Sequence, residues 1–122
     1  MKRRTSFRVL TVMTCLLAVL MIGGRKKQED TSSPAAQLAF GVEMAKRGLW
    51  SEALFRFKQA ARSDPNNPHI LNNMAVAYEA LGNFDKALDF YQEAIRSDPG
   101  NRELKRNYSR FVEFYRAFKP DQ

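Results

Sequence analysis

The chain has 122 residues and a formal net charge of +7, a length that holds one domain and an appendage. Lys2, Arg3, Arg4, Arg8, Arg25, Lys26 and Lys27 carry all of that excess, and from Gln28 onward 13 basic residues balance 13 acidic ones, so the folded part has no general footprint for nucleic acid. With one cysteine, Cys15, and one histidine, His69, the chain can form neither an intramolecular disulfide nor a zinc cluster or two-imidazole dyad, which argues against an enzyme and implies no cofactor and no metal.

Residues 1–27 read as a signal peptide or an N-terminal membrane anchor. Val9 to Gly24 is apolar except for Thr11 and Thr14, follows a basic start and precedes Arg25-Lys26-Lys27. A spanning helix wants about 20 apolar residues, so the short run favours a secretory signal with Gly23-Gly24 as cleavage point. Three cations directly after the run resist translocation and favour an uncleaved anchor. The two alternatives stay open. Both address the chain to a membrane, as an exported or anchored protein of the cell envelope. If the run stays in place, the basic bias puts the amino terminus in the cytoplasm and the folded domain on the non-cytoplasmic side. Residues 28–33 are a flexible linker, the end of a polar stretch from Arg25 to Ser33 without apolar periodicity.

Residues 34 to 67 are then written again at 68 to 101. Pro34 pairs with Pro68, Val42 with Val76, Gly48 with Gly82, Ala53-Leu54 with Ala87-Leu88 and Ala60 with Ala94, and Arg62-Ser63-Asp64-Pro65 returns as Arg96-Ser97-Asp98-Pro99, with Asn67 matched by Asn101. A fixed period of this length means stacked helical units. Ser33-Pro34 and Asn67-Pro68 place a capping side chain before a proline at the first helical position. Gly48 and Gly82 end the first helix of each unit, and Ser51 and Asp85 are expected to cap the second. Each second helix stops at Asp-Pro, because proline cannot donate into the helical ladder and restricts the residue before it. Gly41, Ala75, Ala53, Ala60, Ala87 and Ala94 leave room for backbones to approach, and Trp50, Phe57, Phe84 and Tyr91 fill the gaps.

This pattern resembles the tetratricopeptide repeat (TPR). Its small residue, turn glycine, alanine, aromatic, alanine and proline are met by Gly41, Gly48, Ala53, Phe57, Ala60 and Pro65, and again by Ala75, Gly82, Ala87, Tyr91, Ala94 and Pro99. The second unit also has the family tyrosine, Tyr78. The first has Met44 there, and Gln37 where a large apolar residue is usual, so it reads as a worn terminal repeat. The resemblance implies an all-α fold: a right-handed α-solenoid of two helical hairpins, residues 34–67 and 68–101, used for protein and peptide recognition.

Residues 102–119 fit a closing helix, with Leu104, Tyr108, Phe111, Val112 and Tyr115 on one face, Arg102, Lys105, Arg106 and Arg110 on the other, and Phe114 and Phe118 partly off the stripe. In the family the first helix of each unit lines the concave face. Helical spacing then nominates Leu38 and Val42 with Ala39, then His69, Asn72, Asn73, Val76 and Glu79, then Arg106, Asn107 and Arg110 as groove residues, apolar at one end and basic at the other. Asn73 matches a family asparagine that bonds the backbone of an extended peptide, and Asn107 holds the equivalent place one unit later. Of the five places with which some relatives grip the carboxylate tail of chaperones, Leu38, Val42, Glu103 and Asn107 occupy four, so only Asn73 remains and that activity is not expected.

The expected function is a non-catalytic protein-protein interaction scaffold that binds a peptide or protein segment in this groove, within an envelope assembly. The alternative is a structural, self-associating module whose short stack is completed by a second copy in a homo-oligomer or by an obligate partner, with Phe114 and Phe118 as the expected contact, since two repeats are fewer than the three or so usual for independent stability.

Overall fold

A computed structural model describes residues 30–119. The signal or anchor run, Cys15 and the first two residues of the linker, Gln28 and Glu29, lie outside them. Five helices follow one another: α1 (Pro34–Lys46), α2 (Trp50–Ser63), α3 (Pro68–Ala80), α4 (Phe84–Ser97) and α5 (Arg102–Phe118). Helices α1 and α2 form one hairpin and α3 and α4 a second, α2 packs on α3, and α5 closes the stack against α4. The fold is the all-α solenoid expected.

Local chemistry places the boundaries. Ser33 Oγ accepts from the Ala36 amide at 3.2 Å, and Asn67 Oδ1 accepts from His69 at 3.0 Å and Ile70 at 3.3 Å, while a proline opens each helix. Asn101 does for α5 what Asn67 does for α3, accepting from Glu103 and Leu104. Both asparagines also donate their amide nitrogen backward, to Asp64 Oδ2 at 2.8 Å and Asp98 Oδ2 at 3.2 Å. Repetition of Asp-Pro-X-Asn thus encodes a complete link, in which one side chain ties the end of one helix to the start of the next.

The hairpin turns are tighter than the sequence suggests. Gly48 and Gly82 have φ of +76° and +77°, and each sits in a paired closure. Gly48 donates to Ala45 and Leu49 to Met44, and Gly82 donates to Glu79 and Asn83 to Tyr78. Leu49 and Asn83, which end those closures, also accept the first amide bond of the following helix, from Ala53 and Ala87. One residue does both jobs, so Ser51 and Asp85 already lie inside α2 and α4 and are not caps. The cap of α4 is Asn83, whose side chain accepts from Lys86; Leu49 offers α2 no side-chain acceptor. Asp85 instead accepts from the Tyr115 hydroxyl and from Lys119 Nζ at 3.0 Å, fastening the start of α4 to the end of α5. Those two partners, the hydroxyl first, hold its carboxyl below the ordinary range.

The core runs along the hairpin seams, and Tyr91, Phe57, Phe111 and Ile70 are its largest wholly buried side chains. Closeness depends on Gly41: a Cβ there would come within 2.6 Å of Phe57 Cδ1. Ala53, Ala60, Ala75, Ala87 and Ala94 are fully buried and serve the same approach. In α5, Leu104 and Phe111 are buried, and Phe111 meets Tyr91 with ring centroids 5.1 Å apart.

Candidate peptide-binding groove

Helices α1 and α3 and the start of α2 border a cleft of about 220 Å³, lined by Val42, Ala45, Lys46, Trp50, Phe57, Asn73 and Val76. It brings together three of the residues nominated by spacing: Val42, Asn73 and Val76. Val42 and Val76 lean on the core and are half-buried. Asn73 is half-buried, and no side-chain hydrogen bond to it occurs among the described residues. An amide presented this way has a donor and an acceptor left for a bound chain.

The same positions one period later are filled. Shifting the lining by one repeat replaces Ala45 by Glu79, Phe57 by Tyr91 and Asn73 by Asn107, and Lys46 and Val76 by Ala80 and Arg110. Tyr91 donates its hydroxyl to Glu79 Oε2 at 2.7 Å, and the Arg110 guanidinium lies beside that hydroxyl. Burial, then the Glu79 carboxylate, pushes the Tyr91 phenol far above its usual range, so it stays protonated. Asn107 Nδ2 donates to Asn72 Oδ1 at 3.1 Å. The groove is therefore open and apolar between the first two units and closed by side-chain pairing between the second unit and α5.

This corrects part of the spacing-based assignment. Asn72 is not a free groove residue: it is 9% exposed and joins α3 to α5. Buried, a lone amide would cost about 1–3 kcal/mol unbonded, and Asn107 removes that cost. Asn107 and Glu79 are likewise engaged, half-buried, by Asn72 and Tyr91. Leu38 is half-buried against the core, apart from the cleft, and Ala39, His69, Arg106 and Arg110 are exposed. Lys46, Ala45, Trp50 and Phe57 also wall the cleft, and helical spacing along the first helices does not indicate them, because Trp50 and Phe57 come from α2 and their pattern indicates only seam packing. A signal was there: carboxylate and hydroxyl occur together in the second unit, at Glu79 and Tyr91, and neither occurs in the first, at Ala45 and Phe57. Among the described residues no group of three or more His, Cys, Asp or Glu side chains is placed to hold a metal.

Stacked helical hairpins with a capped end and a side cleft define a helical-repeat module. The tetratricopeptide repeat family model matches residues 44–111, more than half of the chain, and the chain belongs to that family. Among solved structures, a point mutant of MamA superposes with a TM-score of 0.60 at 20% identity, over 72% of this chain and 63% of that one. A tetratricopeptide repeat domain protein from Salinibacter ruber superposes equally well, with a TM-score of 0.60 at 23% identity, over 73% of this chain and 92% of that one. At these identities the likeness is one of fold. The chain thus spans less than two thirds of the MamA structure. No curated protein matches the sequence.

Proposed function

We propose that this protein is a non-catalytic interaction scaffold that holds a peptide or protein segment in the cleft between α1 and α3, with its domain exported or tethered on the non-cytoplasmic side of a membrane through residues 9–24. The observation that carries the reading is the unengaged Asn73 amide standing between the apolar walls Val42 and Val76. About 220 Å³ falls below the ~300–1,000 Å³ of small-molecule sites, so the cleft suits one apolar side chain of a longer segment whose backbone Asn73 holds. Arg106, exposed on α5 outside the cleft lining, is the basic end that helical spacing assigns to the groove and would favour an acidic neighbour in that segment. Membership of the tetratricopeptide repeat family supports the scaffold role. The apolar run with its basic flanks supports the membrane address, and an envelope assembly is the setting that both suggest.

Affinity purification from membranes of the intact chain and of the Asn73→Ala/Arg106→Ala variant tests this. A protein retained by the first and lost from the second supports the groove; the same proteins on both would sink it. Mass spectrometry of the mature amino terminus separates an anchor, which retains residues 9–24, from a cleaved signal, which starts after Gly24. Recovery only from the soluble cytoplasm removes the membrane address.

A further inference from the structure

The two ends of the stack differ in chemistry. At the end where the tether enters α1, the helix starts carry Ser33, Asn67 and Asn101 with Asp64 and Asp98, and among the described residues no large exposed apolar side chain lies there. At the opposite end, where the hairpin turns and the end of α5 meet, Leu49, Leu81, Phe114 and Phe118 are 47%, 44%, 46% and 61% exposed. They are contiguous. Phe84 meets Phe114 and Phe118 at centroid distances of 5.3 and 4.8 Å, one cleft joins Phe118 and Phe84 to Leu81, and another joins Leu81 to Leu49 and Trp50. Arg47 is exposed beside the first turn, Glu113 and Arg116 are exposed on α5, and the edge carboxylates of Asp85 and Glu52 are taken by Lys119 and Arg56. The other exposed aromatics, Phe40 and Phe55, lie beneath the Arg56 guanidinium at 4.7 and 5.4 Å and are not part of it.

We infer that this turn edge seats the domain on an anionic lipid surface, with Phe114, Phe118 and Leu81 entering the headgroup boundary and Arg47 facing lipid phosphates. Aromatic rings with flanking cations are the side chains that favour that boundary. The chain length decides the geometry. The nine residues from Arg25 to Ser33 reach at most about 30 Å, which keeps the domain at the bilayer in which residues 9–24 sit. The 13 residues of α1 separate the tether from the turn edge by only about 20 Å, so the edge can return to the same surface. The inference rests on the anchored form of the function proposed above.

Its test uses the full chain reconstituted in vesicles of phosphatidylcholine with and without phosphatidylglycerol, both with acyl chains brominated. In a Trp50→Phe background a single reporter is introduced as Phe118→Trp at the turn edge or as Asn66→Trp at the polar end. The edge reporter is expected to be blue-shifted and quenched, more strongly with phosphatidylglycerol and less in high salt, and the polar-end reporter to be unquenched. Native Trp50, which lines the same edge, gives a second reading in the unsubstituted chain: it is quenched, and Phe114→Ser/Phe118→Ser removes the quenching while helix content by circular dichroism is retained. Equal quenching at both reporters, or none at the edge in a chain that floats with the vesicles, overturns the lipid seat and leaves the anchor standing. A blue shift without quenching, accompanied by a dimer in sedimentation, assigns the edge to a second copy and also overturns it. A chain that does not float overturns the anchor and the lipid seat together.

Discussion

The Tyr91 hydroxyl on α4 donates to Glu79 Oε2 on α3 at 2.7 Å, where the preceding repeat has Phe57 and Ala45. One added oxygen and one carboxylate turn an apolar cleft into a closed polar junction, so the cleft between α1 and α3 stays open while its equivalent one repeat later is closed.

Replacing Tyr91 by Phe should cost about 1.5–3 kcal/mol, the range for a hydrogen bond to a charged acceptor. The sign of its pH dependence follows from the raised phenol. The contribution is complete below the ordinary tyrosine value of 10.0 and is lost as pH rises above it, because the unfolded chain then ionises first. Melting temperatures between pH 9 and 11 should therefore fall more steeply for the natural chain than for Tyr91→Phe, and parallel curves would contradict the assignment.

Gly41→Ala sets two effects against each other. Helix propensity favours alanine by about 1 kcal/mol, and overpacking against a ring costs about 1–3 kcal/mol. With Phe57 only 1% exposed and 2.6 Å from the new carbon, the ring has nowhere to go, so the variant should be less stable in chemical denaturation. In a Phe57→Leu background the same change should turn stabilising.

At Gly48 and Gly82 the obstacle is backbone alone, since nothing lies within 4 Å of an added Cβ. Alanine there should cost about 1–2 kcal/mol for holding an L-residue at positive φ, and nearly the same at both sites. Gly100 lacks that conformation, and Gly100→Ala should stay within about 0.5 kcal/mol of the natural chain.

The capping scheme separates true caps from apparent ones. Asn67→Ala, Asn101→Ala and Asn83→Ala should each lose about 1 kcal/mol, whereas Ser51→Ala, one step inside α2, should be nearly silent. Urea midpoints of the four variants check this, and a large loss at Ser51 would refute the tight-turn geometry.

Two asparagines one period apart should behave oppositely. Asn107→Ala strands a buried Asn72 oxygen and should cost about 1–3 kcal/mol, while Asn73→Ala should leave stability within about 0.5 kcal/mol. Loss of a retained partner with Asn73→Ala at unchanged thermal stability would mark that amide as a contact residue, and a matching loss of stability would mark it as structural.

Much of this was legible because repeats write local rules twice. Ser33-Pro34, Asn67-Pro68, Gly48, Gly82 and both Asp-Pro steps act within a few residues of themselves, so reading them in order places most helix ends. Ser51 and Asp85 misled because each suits a cap in isolation, while the turn before it had already used its residues. The groove was legible only as a face. Helical spacing puts Asn72 and Asn73 side by side, and nothing local tells which of them turns toward α5.

The period of 34 and its caps, turns and small residues determined that this chain folds as paired helices in an all-α stack, since those signals are short-range and repeated. Tertiary packing alone decided which polar groups stay free. Whether Asn72, Glu79 or Asp85 faces a ligand or a neighbour depends on side chains 12 to 35 residues away, Tyr91, Tyr115 and Asn107, that only the stacked helices bring within bonding distance.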